Sequence, residues 1–275
     1  MRTAFPQGAK TRGVRANHTT RSVLTMPLTP LPKGFSLTYL GHSTVRFTTP
    51  RGARVLVDLF VGSCPTCPIA NEEVGDVDLI LVTHAHDDHF ADALAIAGAT
   101  SCPIVSNPEI AGFLGRKGVA QDRLMAANKG GTLVFDELGL SVTLTHADHS
   151  SSITDGEQTL YGGEPVGFMI HLHCEEEYTF YHAGDTAIFS DMNLLSDLYH
   201  PRMALLPIGD RFTMGPIEAA KASELLASVE AVVPIHYGTF PLLTGTPDAY
   251  REALSHVEAT VQVVEMKPGE TRSTW

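Results

Sequence analysis

Four side chains able to bind a metal ion fall within six consecutive positions of this chain: His84, His86, Asp88 and His89, in the order His-x-His-x-Asp-His. They follow the apolar run Leu79-Ile80-Leu81-Val82, which reads as a buried strand ending at Thr83. In an extended segment, residues two apart point to one side, so the imidazoles of His84 and His86 face the same space. Imidazole nitrogens together with a carboxylate suit zinc or a similar borderline ion. Four donors are more than one tetrahedral ion takes while keeping a position open, so the spacing predicts two ions sharing the loop. Such a pair lowers the pKa of a shared water and polarises the electrophilic oxygen of an ester, lactone, amide or phosphodiester.

Further donors stand where other apolar runs end. His146 and His149 lie in Thr145-His146-Ala147-Asp148-His149-Ser150, Asp185 in His182-Ala183-Gly184-Asp185-Thr186, and His236 in Val233-Pro234-Ile235-His236-Tyr237. Spacing does not choose between His146 and His149. Polar residues released at one end of a sheet converge in space, which supplies enough ligands for two ions with a carboxylate between them. Asp88 can bind an ion and also accept the proton of the attacking water.

The elements that position these residues are short β-rich runs bounded by Gly, Pro and Asp: 36–40, 44–48, 54–59, 77–83, 132–135, 140–146, 167–173, 179–182, 204–207 and 231–235. Helical patterns fall at 91–98, 108–116, 216–228 and 248–257, the third opening with Pro at a first-turn position. Strands with helices interspersed, twice over, predict a layered α/β or α+β domain whose halves repeat one plan.

The signature His84-x-His86-x-Asp88-His89 after an apolar strand, with Asp58 at an earlier strand end and Asp185 and His236 in the later order, resembles the metallo-β-lactamase superfamily over about residues 35–270. That resemblance implies an α+β four-layer αββα sandwich. It also implies one ion held by His84, His86 and His149, a second held by Asp88, His89 and His236, and Asp185 bridging both. His149 is preferred to His146 because the family's His-Ser-Ser pattern falls there. Asp58 becomes an acceptor that orients a ligand imidazole. Within the superfamily the chain is similar to hydrolases related to L-ascorbate-6-phosphate lactonase. The similarity runs through Gly41-His42-Ser43, His149-Ser150-Ser151-Ser152, Tyr181-His182-Ala183-Gly184-Asp185-Thr186, Pro207-Ile208-Gly209-Asp210, Phe212-Thr213-Met214-Gly215 and Pro234-Ile235-His236-Tyr237. The segment Gly41-His42-Ser43-Thr44-Val45 also resembles the N-acyl-phosphatidylethanolamine phospholipase D relatives.

Two more residues are expected to serve catalysis. His42, after Gly41 at a strand turn, is a candidate for substrate contact or leaving-group protonation. Tyr237, beside His236, offers a phenol to a developing oxyanion. Gly162-Gly163-Glu164-Pro165 reads as a rigid loop or a plain turn, and Arg211 as an anion contact or a solvated loop charge.

The expected reaction is hydrolysis of a small-molecule ester, lactone or phosphoester with two divalent ions, zinc first, with manganese, iron and nickel as alternatives. A phosphodiesterase acting on a phospholipid or nucleotide is the runner-up, and a non-catalytic metal-binding protein the reading from another class. A net charge of −12 argues against nucleic acid as partner. No apolar run is long enough to span a bilayer, and no signal-peptide core is present, so a cytoplasmic protein without stable membrane insertion is expected. The resemblance implies a homo-oligomer. Cys64 and Cys67 form a lone C-x-x-C and read as ordinary loop thiols. Residues 1–30, free of acidic groups and of apolar periodicity, read as a disordered or non-native extension ahead of one domain, 31–275.

Overall fold

Alternation along the apolar runs decides which face of each strand meets which layer. The computed structural model describes residues 27–275. Six strands come first: β1 (Ser36–Gly41), β2 (Thr44–Thr48), β3 (Arg54–Val57), β4 (Leu79–Leu81), β5 (Ile104–Ser106) and β6 (Leu124–Ala126). Next come β7 (Thr132–Phe135), β8 (Leu140–His146), a separate hairpin of β9 (Ser152–Asp155) and β10 (Gln158–Tyr161), then β11 (Val166–Leu172), β12 (Tyr178–His182), β13 (Met203–Pro207), β14 (Ala231–Ile235) and β15 (Gln262–Val263). The last strand, β16 (Thr271–Arg272), returns to the first sheet, whose order is β16-β1-β2-β3-β4-β5-β6. The second sheet runs β15-β14-β13-β12-β11-β8-β7.

Both sheets follow one plan. In the first, β1, β2 and β3 pair antiparallel and β3 to β6 parallel. In the second, β8, β11 and β12 pair antiparallel and β12 to β15 parallel. β1 and β3 both oppose β2, so they end at the same edge as β4; β8 and β12 both oppose β11, so they end together with β13 and β14. All the expected site residues follow the carboxyl ends of these strands, where open α/β sheets gather their ligands.

Among the described residues, six α-helices flank the sheets: α1 (Asp87–Phe90), α2 (Ala93–Ala99), α3 (Pro108–Arg116), α4 (Met192–Tyr199), α5 (Pro216–Leu225) and α6 (Pro247–Leu254). Leu79 and Leu81 point inward, into a core shared with Phe168 and Ile170 of the facing sheet. Ile80 and Val82 point outward onto Ile96, Ile110 and Leu114 of α2 and α3. On the second sheet Met169, Tyr181 and Leu206 meet Met192, Ala219 and Tyr250 of α4, α5 and α6. Three cores between four layers give the αββα sandwich. Phe180 sits at the middle, edge-on to Phe47 at 5.1 Å and to Phe35 at 5.7 Å. Truncating it to Ala should cost about 3–5 kcal/mol, the usual penalty for an aromatic core cavity.

The boundaries differ from the sequence expectation where caps intervene. The run 54–59 stops at Val57, because Asp58 turns left-handed with φ 63°. The run 77–83 narrows to β4. The expected helix 91–98 becomes α2, and an additional short helix, α1, precedes it, so Asp88 and His89 stand on one helical turn rather than in the strand-end loop. Of the expected N-terminal extension, residues 1–26 lie outside the described residues. Thr29 donates its N–H to Glu230 Oε2 at 2.7 Å, and Leu31 is buried in the central core.

Candidate metal centre

The local fold delivers each donor separately. Asp58 N–H donates to Leu81 O at 2.9 Å, which ties the end of β3 to β4. Its carboxylate then faces Thr83, with Oδ1 accepting the Thr83 N–H at 2.8 Å and both oxygens 2.9 Å from Thr83 Oγ1. Asp58 Oδ2 lies 2.7 Å from His89 Nδ1, so the other ring nitrogen, Nε2, is turned into the site. A carboxylate holding the far nitrogen of a ligand imidazole is a recurrent feature of metal sites. The chain after β4 stays extended as far as His86 (φ −65°, ψ 151°), then winds into α1. Three strand-end residues at the site adopt left-handed backbone, His42 (φ 54°), Asp58 (φ 63°) and His236 (φ 53°). For non-glycine residues this costs on the order of 1–3 kcal/mol each, and such strain concentrates at functional sites.

Three groups of donors result: His84, His86 and His149; His84, His89 and Asp185; and His42, Asp88, His89 and His236. Within each group the candidate ligand atoms all lie within 4.8 Å of one another. His84 Nε2 is 3.1 Å from His86 Nδ1, which is 3.3 Å from His149 Nε2. Asp185 Oδ1 is 3.2 Å from His89 Nε2, and Asp185 Oδ2 is 2.9 Å from His236 Nε2 and 3.7 Å from His149 Nε2. Asp88 Oδ2 is 3.1 Å from His42 Nε2 and 3.7 Å from His236 Nε2. Donors bound at about 2.1 Å to one cation lie roughly 3–3.5 Å apart, so these spacings are edges of coordination polyhedra. His89 Nε2, Asp185 Oδ1 and His236 Nε2 are buried without a hydrogen-bond partner. Their close approaches lack hydrogen-bond alignment, and a shared cation would satisfy all three. The residues present fit metal ions.

The electrostatics agree. Burial pulls Asp185 up, but His236 and His89 outweigh it and hold the carboxyl well below its usual range. Burial likewise pulls His236 down, while Asp185 and Asp88 override it and push its pKa up to about 9. His42 is brought down to about 4, chiefly by burial and against the pull of Asp88.

His149 stands in the cluster, whereas His146 points away at the exposed end of β8, edge-on to Phe189 at 4.8 Å. The Tyr237 phenol is not brought to the cluster. Its ring packs against the outer helical core, and after burial, which raises its pKa to about 12, the charges acting on it are Glu265 and Arg251. His42 is fully buried, with Nε2 beside the partly exposed Asp88. Arg211 stacks over Phe212 on an exposed loop. The segment Gly162 to Pro165 is braced by Asn107, whose Nδ2 donates to Gly162 O and Glu164 O. Cys64 and Cys67 are free thiols and join none of the groups. Thr83 and Thr239, whose hydroxyls touch His84 and His42, carry no signal in the sequence that would have singled them out.

Residues 53–237 match the family model described as Beta-lactamase superfamily domain. A UPF0173 metal-dependent hydrolase of Rubrobacter xylanophilus is 48% identical over 238 residues, covering 86% of this chain and 96% of that protein. Another from Koribacter versatilis is 45% identical over 244 residues, covering 88% and 99%. Among solved structures, Igni18, a metallo hydrolase from Ignicoccus hospitalis KIN4/I, is 35% identical with a TM-score of 0.74, covering 89% of this chain and 98% of its own. Four layers with a histidine–aspartate cluster at the strand ends thus make up the metallo-β-lactamase fold. Within that superfamily the chain belongs to the UPF0173 metal-dependent hydrolases. Among the described residues, no helix is long and apolar enough to cross a membrane.

Proposed function

We propose that the protein hydrolyses a small-molecule ester, lactone or phosphoester with two divalent cations, zinc first. The observation that supports this reading is the placement of Asp185, which aims Oδ1 at His89 and Oδ2 at His236 and His149. One carboxylate thereby touches both donor sets. His84, His86 and His149 would hold one ion, Asp88, His89 and His236 the other, and Asp185 would join them. When bound, such a pair supplies a water of lowered pKa and polarises the scissile oxygen.

The chain's own residues do the rest. Asp58 and Thr83 fix the imidazoles of His89 and His84. Asp88 is the most exposed carboxylate of the cluster, at 31%, with Oδ2 turned toward His42 and His236. Its remaining oxygen is the acceptor for the proton of the attacking water. The test is metal content per chain by elemental analysis, for the wild type and His86→Ala, followed by a panel of esters, lactones and phosphodiesters. About two ions per chain, falling to about one in the variant, with turnover of one substrate class, is the expected result. Protein that takes up no ion from added zinc or manganese overturns the proposal.

A further inference from the structure

His42 was expected to touch the substrate, yet it is fully buried, and its ring is closed in by Phe60 at 5.7 Å and Phe240 at 5.6 Å. Its carbonyl is tied twice. His42 O accepts the His236 N–H at 2.7 Å and the Tyr39 hydroxyl at 3.0 Å. The left-handed φ of 54° matches those of Asp58 and His236, the strand-end residues on either side of the site. That geometry carries the imidazole to within 4.1 Å of the His236 ring, and Nε2 to 3.1 Å from Asp88 Oδ2.

The opposite nitrogen decides what Nε2 offers. Thr239 Oγ1 sits 2.9 Å from His42 Nδ1 and 3.5 Å from Tyr237 O. With the hydroxyl oxygen as acceptor, Nδ1 carries the proton and Nε2 keeps a lone pair. The same division occurs at His89, where Asp58 engages Nδ1 and Nε2 faces the cluster. A ligand histidine ordinarily shows this pattern, one nitrogen donating outward and the other bound to metal. In that tautomer Nε2 of His42 is an acceptor within 4.8 Å of the ligand atoms of Asp88, His89 and His236, a set that a shared cation satisfies.

We propose that His42 Nε2 is a ligand of the second ion, alongside Asp88, His89 and His236, and that Thr239 is the positioning residue that sets its tautomer. This rests on the two-ion reading above. The second ion then has three imidazoles, two from the ends of β1 and β14 and one from α1, with Asp88 as its only partly exposed donor.

Cobalt(II) titration of the metal-stripped protein, followed by visible absorbance and by calorimetry, tests this without reference to turnover. The wild type should take up about two ions. His42→Asn, which tolerates the left-handed backbone, should bind the first ion normally and the second at least tenfold more weakly, with altered visible bands. Thr239→Val should weaken the same step while Thr239→Ser restores it; this pair leaves His42 in place should the Asn variant fold poorly. Undiminished second-ion affinity and an unchanged spectrum in His42→Asn overturn the ligand role, even if turnover is lost. A wild type that binds only one ion overturns the two-ion reading itself, an outcome visible before any variant is made.

Discussion

Asp58 Oδ2 lies 2.7 Å from His89 Nδ1, and neither side chain is exposed to solvent. The carboxylate cannot swing away, because Oδ1 is engaged by the backbone and hydroxyl of Thr83. Asparagine tolerates the left-handed backbone at this position but loses the charge and one acceptor. Asp58→Asn should therefore fold and bind metal about 10–100-fold more weakly, as outer partners of ligand histidines typically show. Competition against a chelator reads this directly, and unchanged affinity would mean that packing of α1 alone orients His89.

Asp88→Asn addresses the proton transfer. The amide keeps the shape and one oxygen donor but cannot take a proton from water at neutral pH. Turnover should fall by about 10²–10⁴-fold with metal content near that of the wild type. Near-wild-type turnover would remove Asp88 as the base.

Gly209 follows β13 and Ile208, where two strand ends nearly touch. A Cβ there would stand 2.0 Å from the His236 carbonyl oxygen and 3.1 Å from its carbon. Backbone cannot yield as a flexible side chain does. Gly209→Ala should lower the unfolding free energy by about 2–3 kcal/mol and loosen the second donor set along with it. Denaturant unfolding measures the first effect; a loss under about 0.5 kcal/mol, the range of a neutral surface change, would show the loop adapting.

Asp92 makes a pH prediction away from the donors. Oδ2 accepts from Val61 N at 2.8 Å and Ser63 N at 3.0 Å, while Oδ1 accepts from Ser63 Oγ at 2.8 Å and Asn71 Nδ2 at 3.0 Å. Burial raises its pKa, but these bonds outweigh burial and hold the carboxyl below its ordinary value. A depressed folded pKa gives stability that is complete above the unfolded value of about 3.9 and is lost as pH falls through the folded one. Acid unfolding of Asp92→Asn should be flatter over that window than wild type; superimposable profiles would refute the assignment.

Much of this was legible in the sequence because the cues are local. The runs at 44–48, 132–135, 140–146 and 231–235 became strands with those same bounds, and 108–116 became α3. β5 and β6 escaped because three-residue strands are too short to show alternation. α4 has its inward residues Met192, Leu195, Ser196 and Tyr199 at helical spacing, but Ser196 hides the pattern. It is buried to bond Ser228 Oγ at 2.9 Å, a partner 32 residues on. The donors within 84–89 announced themselves by crowding. The depth of His42 did not, since it depends on Phe60 and Phe240, brought in from distant positions. Tyr237 misled because adjacency to His236 says nothing about direction when the backbone turns left-handed between strand and loop.

The final strand has a consequence for how the molecule behaves in a crowd. β16 pairs antiparallel with β1, Thr38 Oγ1 meets Thr271 Oγ1 at 2.9 Å, and Gly269 N–H donates to Tyr39 O at 2.7 Å. Stripped of that cover, β1 would present a row of free amides and carbonyls three residues from His42, a template for another chain's strand. β16 thus acts as a guard against edge-to-edge aggregation, and displacing it would disturb the strand that leads into the site.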